Sequence, residues 1–356
     1  MITVSNFLKK DNNNLDLLRI ICAMLVIYGH SFTLAERGGA KDLVSHLFPF
    51  SSSGSVAVKV FFFISGMLVT ASLLKSQSAL QFVISRSLRI LPAYIFVVLS
   101  SAIIIGPLFT NLPVLEYFKQ NQVSNYIIKN IGMDIQYFLP GVFSSSIYKP
   151  VINGSLWTIP FEISSYICLL ALFMITKLKN KATTNLVCLI IISSAILPGW
   201  QSFFTGSDIN TIYHLPACFA LGVLYATNQE TIYVSKEIPI GFFLLYFVIP
   251  NKPLSEMMFY FGVCTLSIYL ASVRQIISMK LKKDISYGVY LWGFVVQQVV
   301  YNIAPKINIY TNIVLSILIT CFIALISFVF IERPAINFSR SLRKPKVLDD
   351  YSERAP

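Results

Sequence analysis

The chain of 356 residues is 55% apolar and only 12% charged, with a mean hydropathy of +0.69. A soluble globular protein carries about twice that charged fraction, because its surface faces water, so the composition excludes an ordinary soluble domain. The net charge of +12 does not indicate nucleic-acid binding, because the basic residues lie in short clusters between apolar runs, as they do in membrane proteins. The six cysteines lie inside apolar runs without metal-ligand spacing, so we predict neither a disulfide framework nor a metal site.

A helix needs about 20 apolar residues to cross a hydrocarbon core ~30 Å thick. By this measure the sequence predicts an all-α, polytopic integral membrane protein. Its ten helices lie at 15–35, 55–74, 90–110, 156–176, 184–201, 210–227, 238–250, 255–275, 285–304 and 310–332. The first run follows a polar stretch and lacks a small-x-small cleavage site, which favours a retained helix over a signal peptide. We predict a cytoplasmic segment 1–14, a membrane domain 15–335 and a cytoplasmic tail 336–356.

The basic residues between the helices predict the orientation. With the N-terminus in the cytoplasm, 20 of the 28 Lys and Arg residues fall on the cytoplasmic side. The remaining eight are predicted on the outer side: Arg37, Lys41, Lys59, Lys119, Lys129, Lys149, Lys252 and Lys306. Ten crossings then place both termini in the cytoplasm.

The first predicted helix carries two ionisable residues, Arg19 and His30. They are eleven residues apart, about three helical turns, so they share one face at a separation of roughly 16 Å. Charged and ionisable groups inside a membrane helix are costly and usually functional. The alternatives are a snorkelling anchor for Arg19 and an interhelical hydrogen bond for His30.

Arg86 and Arg89 precede the third predicted span and are three residues apart, so on a helix they project to one side. Two guanidinium groups at a cytoplasmic opening suit phosphate or pyrophosphate recognition. The alternative interpretation is that the two arginines only mark the cytoplasmic end of the span, as basic residues commonly do in membrane proteins.

The longest predicted outer connection runs from residue 111 to residue 155 and is rich in aromatic side chains. It is interpreted as an interfacial aromatic belt or a partly helical loop lying on the membrane, with an aromatic platform for a sugar or lipid-linked acceptor as the functional alternative. The residues concerned are Tyr117, Phe118, Tyr126, Tyr137, Phe138, Phe143 and Tyr148.

Glu162 lies about six residues inside the outer boundary of the fourth predicted helix, a depth of ~9 Å that matches His30. A carboxylate and an imidazole at matching depth predict a dyad, in which Glu162 fixes the ring tautomer and His30 removes a proton. The alternative is a protonated Glu162 bonded to a neighbouring helix. Glu332 and Arg333 are interpreted as a local ion pair that ends the last helix before Pro334.

In this order the motifs resemble the acyltransferase-3 family of membrane-bound acyltransferases. The resemblance rests on Arg-x10-His at Arg19 and His30, Arg-x-x-Arg at Arg86 and Arg89, and several short runs that cover nearly the whole chain. The runs are FFxxSG-like at Phe62–Gly66, SLWTIPFE at Ser155–Glu162, LPxFxxG-like at Leu215–Gly222, ISYGVYLW at Ile285–Trp292 and ERPA at Glu332–Ala335. The chain departs from the family pattern at Gly293, where relatives often have a histidine, and this leaves His30 as the predicted base.

The resemblance implies a ten-helix protein of the bacterial inner membrane that takes an acyl group, such as acetyl, from cytoplasmic acyl-coenzyme A. The acceptor would be a hydroxyl of an envelope polysaccharide or lipid-linked glycan. His30 and Glu162 are the predicted catalytic residues, and Arg19, Arg86 and Arg89 the predicted donor-binding residues. No fused SGNH domain is expected, because the chain stops soon after its last predicted helix. A glycan flippase or other transporter is the principal alternative, since it would also use intramembrane ionisable residues and a cavity.

Overall fold

The computed structural model describes residues 2–35, 40–144, 146, 148, 150–178, 180–197, 199–200, 210–281 and 283–342. Within them a main helix lies at each of the ten predicted positions. The main helices are α1 (Leu15–Ala35), α2 (Ser53–Ser76), α3 (Ala79–Phe109), α4 (Thr158–Thr176), α5 (Lys181–Ser194), α6 (Asn210–Thr227), α7 (Glu237–Val248), α8 (Lys252–Ala271), α9 (Ser286–Ile303) and α10 (Ile309–Ser341). The shorter helices are Val4–Phe7, Leu43–Leu47, Val114–Lys119, Asn121–Ile131 and Arg274–Ser278, with a 3-10 turn at Lys10–Asn12.

Six of these helices are long and apolar enough to cross a membrane, namely α1, α2, α3, α4, α8 and α10. Helices α5, α6 and α7 are shorter apolar segments. An all-α membrane protein is therefore confirmed, whereas the number of crossings and the orientation stay predictions. The predicted end of the fifth helix at residue 201 and the predicted tail beyond residue 342 lie outside the described residues.

The third helix begins eleven residues earlier than predicted, at Ala79, because Ser78 caps it by accepting a hydrogen bond from the Gln81 amide. Arg86 and Arg89 therefore lie within α3, on one side of the same helix. Both α3 and α10 contain a π-helical turn, at Ser101–Ile105 and Phe328–Glu332. Such turns are rare and concentrate at functional sites.

Helix α2 lies at the centre of the bundle, where most of its length is buried. It packs closely on α6 through two glycines: a side chain at Gly66 would collide with the backbone of Phe219, and one at Gly222 with the backbone of Phe63. Small residues of this kind let membrane helices approach each other, because van der Waals packing is the main attraction between helices in lipid.

Hydrogen bonds hold the N-terminal segment against one end of the helix bundle. Strand β1 (Ile2–Thr3) pairs antiparallel with β2 (Tyr233–Val234), with Ile2 opposite Val234. The side chain of Asn14 donates hydrogen bonds to the carbonyls of Ile276 and Met279, at 2.7 and 3.0 Å. The N-terminus, the α6–α7 connection and the α8–α9 connection therefore share one side of the molecule, which we refer to as the predicted cytoplasmic side.

The connection between α3 and α4 is partly helical, at Val114–Lys119 and Asn121–Ile131, as predicted, but some of its side chains turn back into the bundle. Asn130 accepts a hydrogen bond on its carbonyl from the Tyr94 hydroxyl at 2.7 Å, halfway along α3. Asn153 donates to the carbonyl of Leu291 at 2.9 Å, within α9. Three of its aromatic residues, Tyr117, Tyr126 and Phe143, are each exposed by no more than 1%: their side chains are packed in the core and cannot form a platform or a belt.

One further expectation needs correction, and one basic residue used for the orientation is buried. Lys59, predicted on the outer side, lies inside α2 as predicted and is 1% exposed, and its side of the membrane stays a prediction; its ammonium group donates to the Ser55 hydroxyl at 2.7 Å and lies 4.4 Å from the Tyr260 ring centroid. Glu332 lies 3.9 Å from the Arg89 guanidinium, across the bundle, so its partner is not the adjacent Arg333. Of the other residues used for the orientation, several lie outside the described residues: Arg37, Lys149, Lys179, Lys282, Arg343, Lys344, Lys346 and Arg354.

Candidate active site

A cavity inside the bundle joins a wider groove on the predicted cytoplasmic side. The three arginines Arg19, Arg86 and Arg89 line both spaces, so they stand at the junction between them. Further inside, the cavity is lined by Glu162 and ends against the side chains of Thr158 and Tyr290. The structure thus brings together four of the five residues predicted for the site.

Asp284, in the segment before α9, holds two of these arginines. Its Oδ2 atom accepts from Arg19 Nη1 at 3.0 Å and from Arg89 Nη2 at 2.8 Å. Its Oδ1 atom accepts from the amide and hydroxyl of Ser286, at 3.2 and 2.5 Å. Burial acts to raise the pKa of Asp284, but the charges of Arg19 and Arg89 and the Ser286 hydrogen bonds prevail, so the pKa of this carboxyl lies below its usual value.

Asp284 reaches the arginines because hydrogen bonds hold the start of α1 against the α8–α9 connection, the segment to which Asp284 belongs. Asn14 caps α1 by accepting from the Leu17 amide, and its side-chain amide holds the Ile276 and Met279 carbonyls. This contact brings the α8–α9 connection over the first turns of α1, where Arg19 lies.

Glu332 is a second carboxylate beside Arg89. It is 1% exposed, ends the π-helical turn of α10, and lies 3.9 Å from Arg89 Nη1. Neither of its side-chain oxygens has a hydrogen-bond partner among the described residues. Arg89 therefore lies between two carboxylates, whereas no ion pair joins Arg86 to a carboxylate of the described residues.

Glu162 forms a hydrogen-bonded chain with two hydroxyl groups. Tyr166, one turn further along α4, donates to Glu162 Oε1 at 2.5 Å, and Ser65 of α2 lies 2.7 Å from the Tyr166 hydroxyl. Since the single phenolic proton goes to Glu162, Ser65 must be the donor to Tyr166. The chain fixes the direction of the carboxylate and links α4 to α2 across the cavity.

His30 lies outside this cavity, near the other end of α1. Its ring packs edge-to-face on Phe294, with centroids 5.1 Å apart and planes at 81°. Its Nδ1 atom is buried and has no hydrogen-bond partner among the described residues, while the residue as a whole stays partly exposed. An imidazole nitrogen without a hydrogen-bond partner can form a hydrogen bond with a ligand or accept a proton from it.

The predicted dyad of His30 and Glu162 is therefore not formed. The predicted depth of Glu162 assumes that the chain enters the membrane at the start of its helix, but the chain before α4 already enters the bundle. The Ser155 carbonyl accepts a hydrogen bond from the Tyr290 hydroxyl at 3.0 Å, and the Thr158 hydroxyl lies 2.6 Å from that tyrosine hydroxyl. Helix α4 thus begins at the level of Tyr290, and Glu162 lies one turn closer to the arginines.

Phe294 contacts His30 and lies one helical turn beyond a residue that lines the cavity. It follows Tyr290 by one helical turn of α9, and Tyr290 is among the last residues that line the cavity. The Phe294 ring is 5% exposed and lies over Gly154, where any side chain would collide with it. Neither Phe294 nor His30 lines the cavity, so the passage predicted from the arginines to His30 does not reach that ring in the described residues, and Phe294 is the residue that contacts the ring from the next turn of α9.

A buried polar network fixes the helices around His30. The Gln297 side chain donates to the Ile27 carbonyl at 2.7 Å and to the Ser31 hydroxyl at 2.5 Å. These bonds join α9 to α1 immediately beside His30. In a hydrocarbon environment such bonds stabilise one helix rotation, because an unpaired polar group there is costly.

Sequence reasoning missed Asp284, Glu332 and Tyr166 as parts of the site. Asp284 is an acidic residue that directly precedes the ISYGVYLW run and follows a cluster of lysines, which was a usable signal. Within the described residues, no group of three His, Cys, Asp or Glu side chains could hold a metal ion.

Comparison with known proteins agrees with the motifs. Residues 12–332 match the acyltransferase-3 family, described as an acyltransferase domain. The chain is 26% identical to an O-acetyl transferase of Shigella phage Sf6, over 90% of this chain and 95% of the relative. It is 27% identical to nodulation protein 10 of Rhizobium leguminosarum bv. viciae, over 93% and 95% of the two chains.

A third relative is longer than this chain. It is the peptidoglycan O-acetyltransferase OatA of Listeria monocytogenes, 26% identical over 81% of this chain and 52% of the relative. No solved structure matches the chain. The family match covers nearly all the described helices and every residue of the site, so the chain belongs to the acyltransferase-3 family of membrane acyltransferases.

Proposed function

We propose that the protein transfers an acyl group, most simply acetyl, from cytoplasmic acyl-coenzyme A to a hydroxyl of an envelope polysaccharide or lipid-linked glycan. The observation that carries the proposal is the arginine-lined junction between the groove and the internal cavity. Coenzyme A carries several phosphate charges that cannot enter lipid, attached to a long thin pantetheine arm. A cationic opening that leads to a narrow cavity suits both parts of such a molecule.

In this proposal the nucleotide stays on the cytoplasmic side and the pantetheine arm enters past Arg19, Arg86 and Arg89. The acyl thioester then lies in the cavity beside Glu162 and Tyr166. Arg19 and His30 are roughly 16 Å apart along α1, a distance of the same order as the reach of the arm. The relatives include two O-acetyltransferases, which supports acyl transfer to oxygen.

The reaction proposed is an ester-forming displacement. The acceptor oxygen attacks the thioester carbonyl, a carbon–oxygen bond forms and the carbon–sulfur bond breaks. His30 takes the hydroxyl proton and returns it to the departing coenzyme A sulfur, so protons balance over one turnover. For the thioester to reach His30, the cavity must open further along α9, past the Phe294 ring.

Alternatively, His30 takes the acyl group first and passes it to the acceptor in a second step. Both routes use the unpartnered ring nitrogen, and both predict loss of transfer when His30 is replaced. In either route, Glu162 and its hydrogen-bonded partner Tyr166 line the inner cavity beside the acyl thioester.

The test is transfer of labelled acetyl from acetyl-coenzyme A in membranes that contain the protein and its native glycan. We expect label in the glycan fraction with the wild type and a rate ~10²–10⁴ lower with His30→Ala, at equal protein content in the membrane. Label at the wild-type rate without the protein would refute the proposal, and label at the wild-type rate with His30→Ala would refute the role of His30. Glycan movement across vesicles without any label transfer would favour a flippase instead.

A further inference from the structure

The groove on the predicted cytoplasmic side is lined by three parts of the chain that are distant in sequence. They are the segment around Lys10, the α8–α9 connection with Lys283, and the last part of α10 with Arg333 and Arg340. Arg333 and Arg340 are seven residues apart on the helix Arg333–Ser341, so they project from the same face. All four side chains are exposed.

The groove carries a large excess of positive charge. Eight Lys and Arg side chains line it, against two aspartates, Asp16 and Asp284. Lys280 is paired with Asp11 at 2.8 Å, and Arg19 and Arg89 are paired with Asp284. In the part of the chain that the structure describes, no ion pair involves Lys10, Lys283, Arg333 or Arg340.

Arg19 and Arg89 are less available to a phosphate than these four residues. A phosphate that bound Arg19 and Arg89 would have to displace Asp284, whose oxygens are also held by Ser286. Displacement would leave a largely buried carboxylate without its charge partners, which is strongly unfavourable. A phosphate can bind the four exposed residues of the groove without displacing Asp284.

We infer that this groove, through Lys10, Lys283, Arg333 and Arg340, binds the phosphate groups of an adenine nucleotide that carries more than one phosphate. The inference rests on the proposed function, because that nucleotide is the head of the acyl donor. The paired arginines then line the path of the uncharged pantetheine arm, and Arg86, which has no carboxylate partner among the described residues, lies between the two regions.

The test measures binding of two probes to the detergent-purified full chain, coenzyme A and adenosine 3′,5′-bisphosphate, which lacks the pantetheine arm. The double variant Arg333→Gln, Arg340→Gln should bind both probes at least tenfold more weakly, a loss of about 1.4 kcal/mol. Binding by the wild type should weaken with added salt, since exposed charges are screened, and the double variant should show a smaller salt dependence.

The matched control is Arg274→Gln, an exposed arginine of the helix Arg274–Ser278 on the same side of the molecule that does not line the groove. It should bind both probes as the wild type does. Unchanged affinity of the double variant, with normal thermal stability, would overturn the inference while leaving the proposed function intact. A wild type that binds neither probe would overturn the donor assignment as well.

Discussion

Replacing Asp284 by Asn tests whether the site is held together by one carboxylate. Asp284 binds Arg19 and Arg89 at 3.0 and 2.8 Å, and the three side chains keep 15–24% of their surface exposed. At an effective dielectric constant of about 20, each contact is an attraction of ~5 kcal/mol, most of which is offset by desolvation. Breaking a buried pair on one side costs about 3–5 kcal/mol. Partial exposure reduces this, so we expect a loss near ~2–3 kcal/mol for Asp284→Asn.

The assay is thermal unfolding of the purified protein in detergent, with Asp11→Asn as the matched control. Both changes remove one carboxylate from an ion pair, but Asp11 belongs to the exposed pair with Lys280, in which its side chain is 90% exposed. Asp284→Asn should lower the unfolding temperature clearly and the control should leave it unchanged. Equal unfolding temperatures for the two variants would refute the reasoning.

The pH dependence gives a second check with a defined sign. Because the pKa of Asp284 is lowered in the folded protein, its contribution to stability is complete above the pKa of the unfolded carboxyl. It is lost as the pH falls through the lowered pKa of the folded protein. The stability difference between wild type and Asp284→Asn should therefore be constant near neutral pH and disappear in acid. A difference that persists in acid would show that the effect is not due to the charge.

Three other changes address the chemistry. His30→Ala should lower the rate of acyl transfer by ~10²–10⁴ without loss of protein from the membrane, and wild-type turnover would end the assignment of His30 as base. Tyr166→Phe removes the hydrogen bond to Glu162 and should lower kcat about tenfold at unchanged donor affinity; a change in donor affinity alone would contradict this role. Phe294→Ala removes the ring that contacts His30 one turn beyond the cavity, so release of free coenzyme A without acceptor should rise; no rise would show that Phe294 is not a barrier.

The helices could be predicted from the sequence because runs of about 20 apolar residues rarely form anything other than membrane-spanning helices. Arg86 and Arg89 were placed on one side of a helix because their spacing settles that question. The depth of Glu162 could not be predicted in the same way. The chain before α4 enters the bundle in non-helical form, with its polar groups satisfied by residues such as Tyr290 and Leu291. Hydropathy does not reveal such a segment, because it depends on buried partners far away in sequence.

The carboxylates at the site were missed for a related reason. Asp284 lies between predicted helices, where an acidic residue is ordinarily solvated, and its contact with Arg19 spans 265 residues of sequence. Glu332 has a basic neighbour in the sequence, which made a local pair the simplest interpretation. Only the packing of α10 beside α3 shows that Arg89 is the group it faces.

The pairing of β1 with β2 has a consequence for the order in which the protein assembles. Two strands of two residues are too short to persist alone, so the contact of Ile2 with Val234 depends on the helices that hold both segments in place. Ile2 and Thr3 thus reach their final position only after Tyr233 and Val234, more than two hundred residues later in the sequence, have been made. A substitution of Ile2 by proline, which cannot donate its amide to the pairing, would interfere with this late closing step rather than with insertion of the first helices.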